Sequence, residues 1–133
     1  MAAPTGSRSF ELDGLSILLL DAMDELPADQ SDYVLISGSH AGLDSARRAL
    51  RRPPRLAIFS DAGVGKDRSG VAGLELLQAF HIPAAAVDVA SARIGDAADC
   101  LDNGVVSHRN ELAANLGVNI GDRVRDILGR LER

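Results

Sequence analysis

Tryptophan is absent and aromatic residues make up only 3% of the chain, so any core has to be assembled from leucine, valine, isoleucine and alanine. Cysteine occurs once, at Cys100. A lone cysteine excludes an internal disulfide and any multi-cysteine metal site, and an unpaired thiol suits a reducing compartment. Its expected role is that of a small, partly buried hydrophobe. Long apolar runs are missing as well: the longest, LSILLL from Leu15 to Leu20, falls far short of the ~20 residues needed to span a bilayer. The opening MAAPTGSRSFELDG has no apolar segment of the secretory kind. These absences predict a cytoplasmic protein with no membrane partner. Positive charge is in deficit too, with 14 Lys and Arg against 19 Asp and Glu and a net charge of −5. That balance argues against general nucleic-acid binding, which depends on neutralising phosphates. The basic cluster Arg47, Arg48, Arg51, Arg52 and Arg55 reads as the outer face and C-terminal end of a helix, where cations suit the helix dipole.

What the chain does contain is alternation. Its 133 residues fit one domain of the usual ~100–150 residues. Residues 1–9 read as a flexible arm and 10–133 as a single α/β domain. Near-continuous apolar runs at Leu15–Leu20, Tyr33–Ile36, Leu56–Phe59 and Ala84–Val89 suit strands buried on both faces. Between them lie segments of helical spacing. Leu43, Ala46, Ala49 and Leu50 share one face of a short helix that Pro53 and Pro54 stop. Val71, Leu74, Leu77 and Phe80 form a second stripe. His108–Gly117 reads as a helix with Ser107 as its N-cap, and Val124, Ile127, Leu128 and Leu131 as a C-terminal amphipathic helix. The expected fold is therefore a compact three-layer α/β domain of Rossmann-like or flavodoxin-like kind. Its sheet is mostly parallel, of about four to five strands, with helices on both faces. The link from the first strand to the second, DAMDELPADQSD, is its weakest part, so that the first strand is either parallel, antiparallel or at an edge.

Three polar, glycine-rich peptides directly follow the second, third and fourth strands: SGSHAG (37–42), SDAGVGKDRSG (60–70) and SARIGD (91–96). In a parallel sheet they share one edge, and open α/β sheets bind ligands at the carboxyl ends of their strands, beside a reversal of strand order. Glycine in such loops lets backbone amides approach a ligand, and a following helix N-terminus favours an anion. The familiar nucleotide motifs fail. Counting back from Lys66, Ser60 stands where a P-loop needs glycine and Asp67 where it needs a hydroxyl. No dinucleotide fingerprint follows the first strand, and GSHAG puts His40 where a nucleophile elbow needs serine.

The residues that carry chemistry then divide by type. His40, Asp61 and Ser39 are the candidate catalytic set: an imidazole able to move protons near neutral pH, a carboxylate to orient it or cap a turn, and a hydroxyl. Ser37, Gly38, Gly63, Gly65, Lys66, Ser91, Arg93 and Asp96 are the candidate binding set, in which Lys66 and Arg93 hold an anion and glycine amides meet developing charge. Asp21 joins them if the first strand is parallel. His81 and His108 read as structural, and the three histidines lack metal-ligand spacing, so neither a metal nor another cofactor is expected. The expected function is a small enzyme acting without a metal on a small anionic or amide-containing metabolite. Hydrolysis is favoured over a lyase or isomerase step. The alternative is a non-catalytic metabolite-binding or accessory subunit, and in either case the lack of a lid predicts a homo-oligomer or a partner subunit.

Overall fold

The computed structural model describes residues 7–12, 14–23, 26 and 32–131. Among the described residues, six strands form one mixed sheet in the order of the sequence. They are β1 (Ser7–Leu12), β2 (Leu15–Leu20), β3 (Val34–His40), β4 (Leu56–Ser60), β5 (Ala84–Val87) and β6 (Val106–Arg109). Strands β2 to β5 are parallel, and β1 and β6 flank them antiparallel. Five α-helices complete the described residues: α1 (Leu43–Leu50), α2 (Ala72–Ala79), α3 (Ala97–Asn103), α4 (Glu111–Asn115) and α5 (Val124–Arg130).

Burial on both faces explains the unbroken apolar runs. Along β2, Leu15, Ile17 and Leu19 enter one hydrophobic cluster with Cys100 and Leu101 of α3 and with Val124, Ile127 and Leu128 of α5. Leu18 and Leu20 enter the other, with Ala46 and Ala49 of α1 and Leu74 and Leu77 of α2. The two-residue period of the strand thus deals its side chains alternately to two cores. No described helix is long and apolar enough to cross a membrane.

Several expectations need correction. Ser7–Ser9, assigned to the arm, belong to β1, while residues 1–6 lie outside the described set. Leu12 pairs with Leu15 across a two-residue link whose second member is Gly14 at φ +86°. The sequence Asp-Gly at 13–14 is a strong hairpin signal and accounts for the antiparallel pairing of β1 with β2, while the register from Ile17 with Val34 to Leu20 with Ser37 makes β2 parallel to β3. The helix placed at His108–Gly117 starts later. Val106–Arg109 continue the sheet as β6, so Ser107 is a strand residue, and Asn110 caps α4 by accepting the Ala113 N–H at 3.0 Å. Asn110 is buried and also ties the start of β5 to α2 and to the link that follows it, accepting the Ala84 N–H and donating to the Leu74 and Ile82 carbonyls. The strand order shows no reversal, unlike the Rossmann and flavodoxin orders. What changes along the sheet is the side taken by the helices, since α1 and α2 share one cluster and α3 the other.

Candidate functional site

The three glycine-rich peptides meet at the carboxyl edge of the parallel strands, held by backbone contacts too close for side chains. Gly73 at the start of α2 donates to the Ala41 carbonyl at 2.8 Å, and a Cβ there would strike the Ala41 and Gly42 carbonyls. Gly95 donates to the Gly38 carbonyl at 2.8 Å, and a Cβ on Gly38 would lie 2.5 Å from the Asp96 nitrogen. The connection after β5 therefore crosses the strand ends to reach β3. Asp21 reaches the same place from the end of β2, accepting the Ala97 N–H at 2.8 Å.

SGSH belongs to β3 rather than to a loop, because the strand runs through a register shift between Ile36 and His40. Ser37 and Gly38 are consequently buried. The Ser37 hydroxyl accepts the Ser39 N–H at 3.1 Å, and Gly38 faces Gly95, so these two serve as packing and struts. Ser39 is half-buried and its oxygen accepts the Met23 N–H at 3.1 Å. His40 is exposed at the strand's end, and its ring lies over Gly42 so closely that a Cβ on that glycine would run into it. No described residue hydrogen-bonds the imidazole.

Asp61 does not orient His40. It is 5% exposed, and its Oδ1 accepts the Gly63 N–H at 2.7 Å and the Val89 N–H at 3.1 Å. Its Oδ2 accepts the Ser107 hydroxyl at 2.6 Å. The same hydroxyl lies 3.0 Å from His108 Nδ1, which is 3.9 Å from the carboxylate. This Asp-Ser-His contact ties the end of β4 to β6 across β5, whose Ala86 carbonyl lies 3.4 Å from the same hydroxyl. It does not present a nucleophile, since the serine proton is directed at the carboxylate. Sequence reasoning missed Ser107 and His108 because it assigned them to a helix.

The turn after β4 is strained along its length. Ala62, Val64, Asp67 and Arg68 have φ of +51°, +70°, +55° and +60°, and Gly63 and Gly65 lie at +73° and +72°. Gly65 donates to the Gly63 carbonyl at 2.8 Å, closing a three-residue turn around Val64. A β-branched residue at such a φ is a true outlier, and strain of this kind collects at functional sites. Gly63, Gly65 and Lys66 are exposed, and Lys66 has no ion-pair partner among the described residues. Arg93 is exposed and 3.5 Å from Asp96. Asp96 caps α3 by accepting the Asp99 N–H at 3.0 Å, and Ser91 is spent between the Asp88 carbonyl and the Val105 N–H. The Arg93 amide, then the Asn103 side chain, hold the Asp99 carboxyl below its ordinary range. Burial pushes the Cys100 thiol up to about 12, which leaves it protonated and inert.

Two cavities flank His40. One, of about 190 Å³, is lined by His40, Ala62, Val64, Gly65, Ser69 and Gly70. The other, of about 250 Å³, lies against Ala22, Met23, Ser39, His40, Asp44, Ser45 and Arg48. The edge thus brings His40, Ser39 and the glycine turn together. Asp61, Ser37, Gly38, Ser91 and Asp96 line neither of these cavities. Compared with known proteins, the chain matches no family model, no curated protein and no solved structure.

Proposed function

We propose that this chain binds a small anionic metabolite at the carboxyl edge of its sheet, with His40 as the group that meets the ligand. One observation carries the proposal: an exposed imidazole without a hydrogen-bond partner among the described residues separates two cavities. Concave sites with a few convergent polar groups are where small ligands bind. The strained, glycine-bearing turn supplies one wall, and exposed Lys66 supplies positive charge near it.

Binding or accessory service is better supported than hydrolysis. Hydrolysis by a serine needs a base in contact with the nucleophile and a third group behind the base. Ser39 instead accepts from Met23, and Asp61 is committed to Gly63, Val89 and Ser107. A proton-transfer enzyme is the second reading, favoured by the unpartnered His40 ring alone.

The test is a thermal-shift screen of small carboxylates, amides and phosphates on the unaltered protein and on His40→Gln. A ligand at a hundred times its Kd should stabilise the protein by about 2.7 kcal/mol, and His40→Gln should remove that gain while leaving the unliganded melting temperature nearly unchanged. Stabilisation that is indifferent to His40, or no stabilisation by any member, would refute the proposal. Turnover of a stabilising ligand, lost in His40→Gln, would establish the second reading.

A further inference from the structure

The cavity beside α1 holds a feature that the fold does not use. Ser45 is 5% exposed and lines this space, yet its hydroxyl has no partner among the described residues. A helical serine ordinarily donates back to the carbonyl four residues earlier. Here that carbonyl, Ala41, accepts the Gly73 N–H at 2.8 Å, and the Gly42 carbonyl accepts the Ala46 N–H at 3.1 Å. A buried hydroxyl without a partner is costly and calls for an explanation.

Several of the polar groups that line the cavity around Ser45 can donate hydrogen bonds. The first turn of α1 has no side-chain cap, because Gly42 stands at the N-cap, and the amides of Asp44 and Ser45 find no described acceptor. Ser39 accepts from Met23 and so retains its own proton for donation. Arg48 places Nε on Asp44 at 3.0 Å and leaves its terminal nitrogens without a described partner. His40 closes the far side. Asp44 is the opposing charge; its side chain is 73% exposed and paired with Arg48, so the two add no net charge and Arg48 serves through the donors of its terminal nitrogens.

We infer that this cavity is a phosphoryl-binding subsite, taking the phosphate of a small monoester whose remainder lies toward the glycine turn across His40. Hydroxyls from β3 and α1, helix amides and a guanidinium approach from different sides, which suits three terminal oxygens better than the two of a carboxylate. This inference rests on the ligand-binding reading of the same edge, but it moves the anion from Lys66 and Arg93 to α1.

Calorimetric titration with inorganic phosphate, methyl phosphate and acetate tests it, on the unaltered protein and on Ser45→Ala, Arg48→Gln, Lys66→Ala and His40→Gln. Ser45→Ala should raise the unliganded melting temperature, since alanine removes the unsatisfied hydroxyl and favours the helix. It should also weaken both phosphates about tenfold, the loss of one charge-assisted hydrogen bond. Arg48→Gln should weaken them similarly and more than Lys66→Ala does, and acetate should bind more weakly than methyl phosphate. Phosphate affinity that ignores Ser45 and Arg48, or that vanishes with Lys66, overturns the α1 subsite while leaving a ligand site at the turn. Absence of phosphate binding, with a carboxylate or amide bound through His40, does the same. Phosphate held through Ser45 but indifferent to His40→Gln keeps the subsite and defeats the proposal centred on His40.

Discussion

Asp61 and His40 stand at the ends of neighbouring strands, and their environments give them opposite duties. The carboxylate is nearly sealed and accepts three hydrogen bonds, from Gly63, Val89 and Ser107. Its charge therefore organises three segments. Asp61→Ala would leave the Gly63 and Val89 amides unpaired beneath the surface and turn the Ser107 hydroxyl over to His108 or the Ala86 carbonyl, at a cost of about 3 kcal/mol. Urea denaturation should show that loss as a lowered midpoint with an unchanged slope, and an unchanged midpoint would mean that water satisfies these donors. The identity of Asp61 as an edge residue was legible from its place just after an apolar run. Its partner was not, because Ser107 lies 46 residues away on a strand whose four residues alternate too briefly to be distinguished from a helical start. The place of His40 at the sheet edge was legible from the apolar run before it, although SGSH continues β3 rather than forming a loop.

At the scale of elements, glycine decides how closely the connections pack. Gly38 in β3 meets Gly95 and Asp96 backbone, which cannot rotate away as a side chain would. Gly38→Ala should therefore prise the loop before α3 from the sheet and cost about 2–3 kcal/mol. Gly129 in α5 is the contrast, since nothing lies within 4 Å of the Cβ it lacks. Gly129→Ala should stabilise the helix by about 1 kcal/mol. The pair of melting temperatures checks both, and equal shifts would deny that contact rather than propensity sets the difference. Periodicity revealed α1 with its end at the prolines, and α5, because each carries its own stripe. It did not reveal α3 as a helix: ASARIGDAADC offers few large apolar residues, and α3 is fixed by Asp96 at its N-cap and by burial of Cys100 and Leu101. The glycines of SGSHAG were read as loop formers. Their spacing is equally compatible with what Gly38 does, letting a neighbouring backbone approach a strand.

For the molecule as a whole, the scarcity of aromatics and lysines makes alkaline stability readable. Tyr33 is the single tyrosine and Lys66 the single lysine, and the other basic side chains apart from histidine are arginines, which stay charged throughout the range. Tyr33 is fully buried, and its hydroxyl donates to the Arg52 carbonyl at 2.5 Å. Burial raises its pKa from an ordinary value of 10.0 to about 12, against the opposing pull of Arg52. Cys100, buried under α3, is raised from 9.0 to about 12, again first by burial and then by Asp99, Asp96 and Asp21. Both groups are neutral when protonated, and folding favours that form. Their contribution is therefore intact below the unfolded values, near pH 9 for the thiol and pH 10 for the phenol, and is lost as pH rises through about 12. Each raised unit corresponds to about 1.4 kcal/mol, so denaturant midpoints should be flat from about neutral pH to pH 9 and then fall progressively toward pH 12. Cys100→Ala should delay the onset to near pH 10, and Tyr33→Phe should remove the later part of the decline while forfeiting the Arg52 hydrogen bond. Tyrosinate absorbance gives an independent check, because one tyrosine and no tryptophan report only this site. Ionisation near pH 10 in the folded protein would mean that the Tyr33 end of the sheet is open to water, and the cores on the two faces would then not be sealed at that edge.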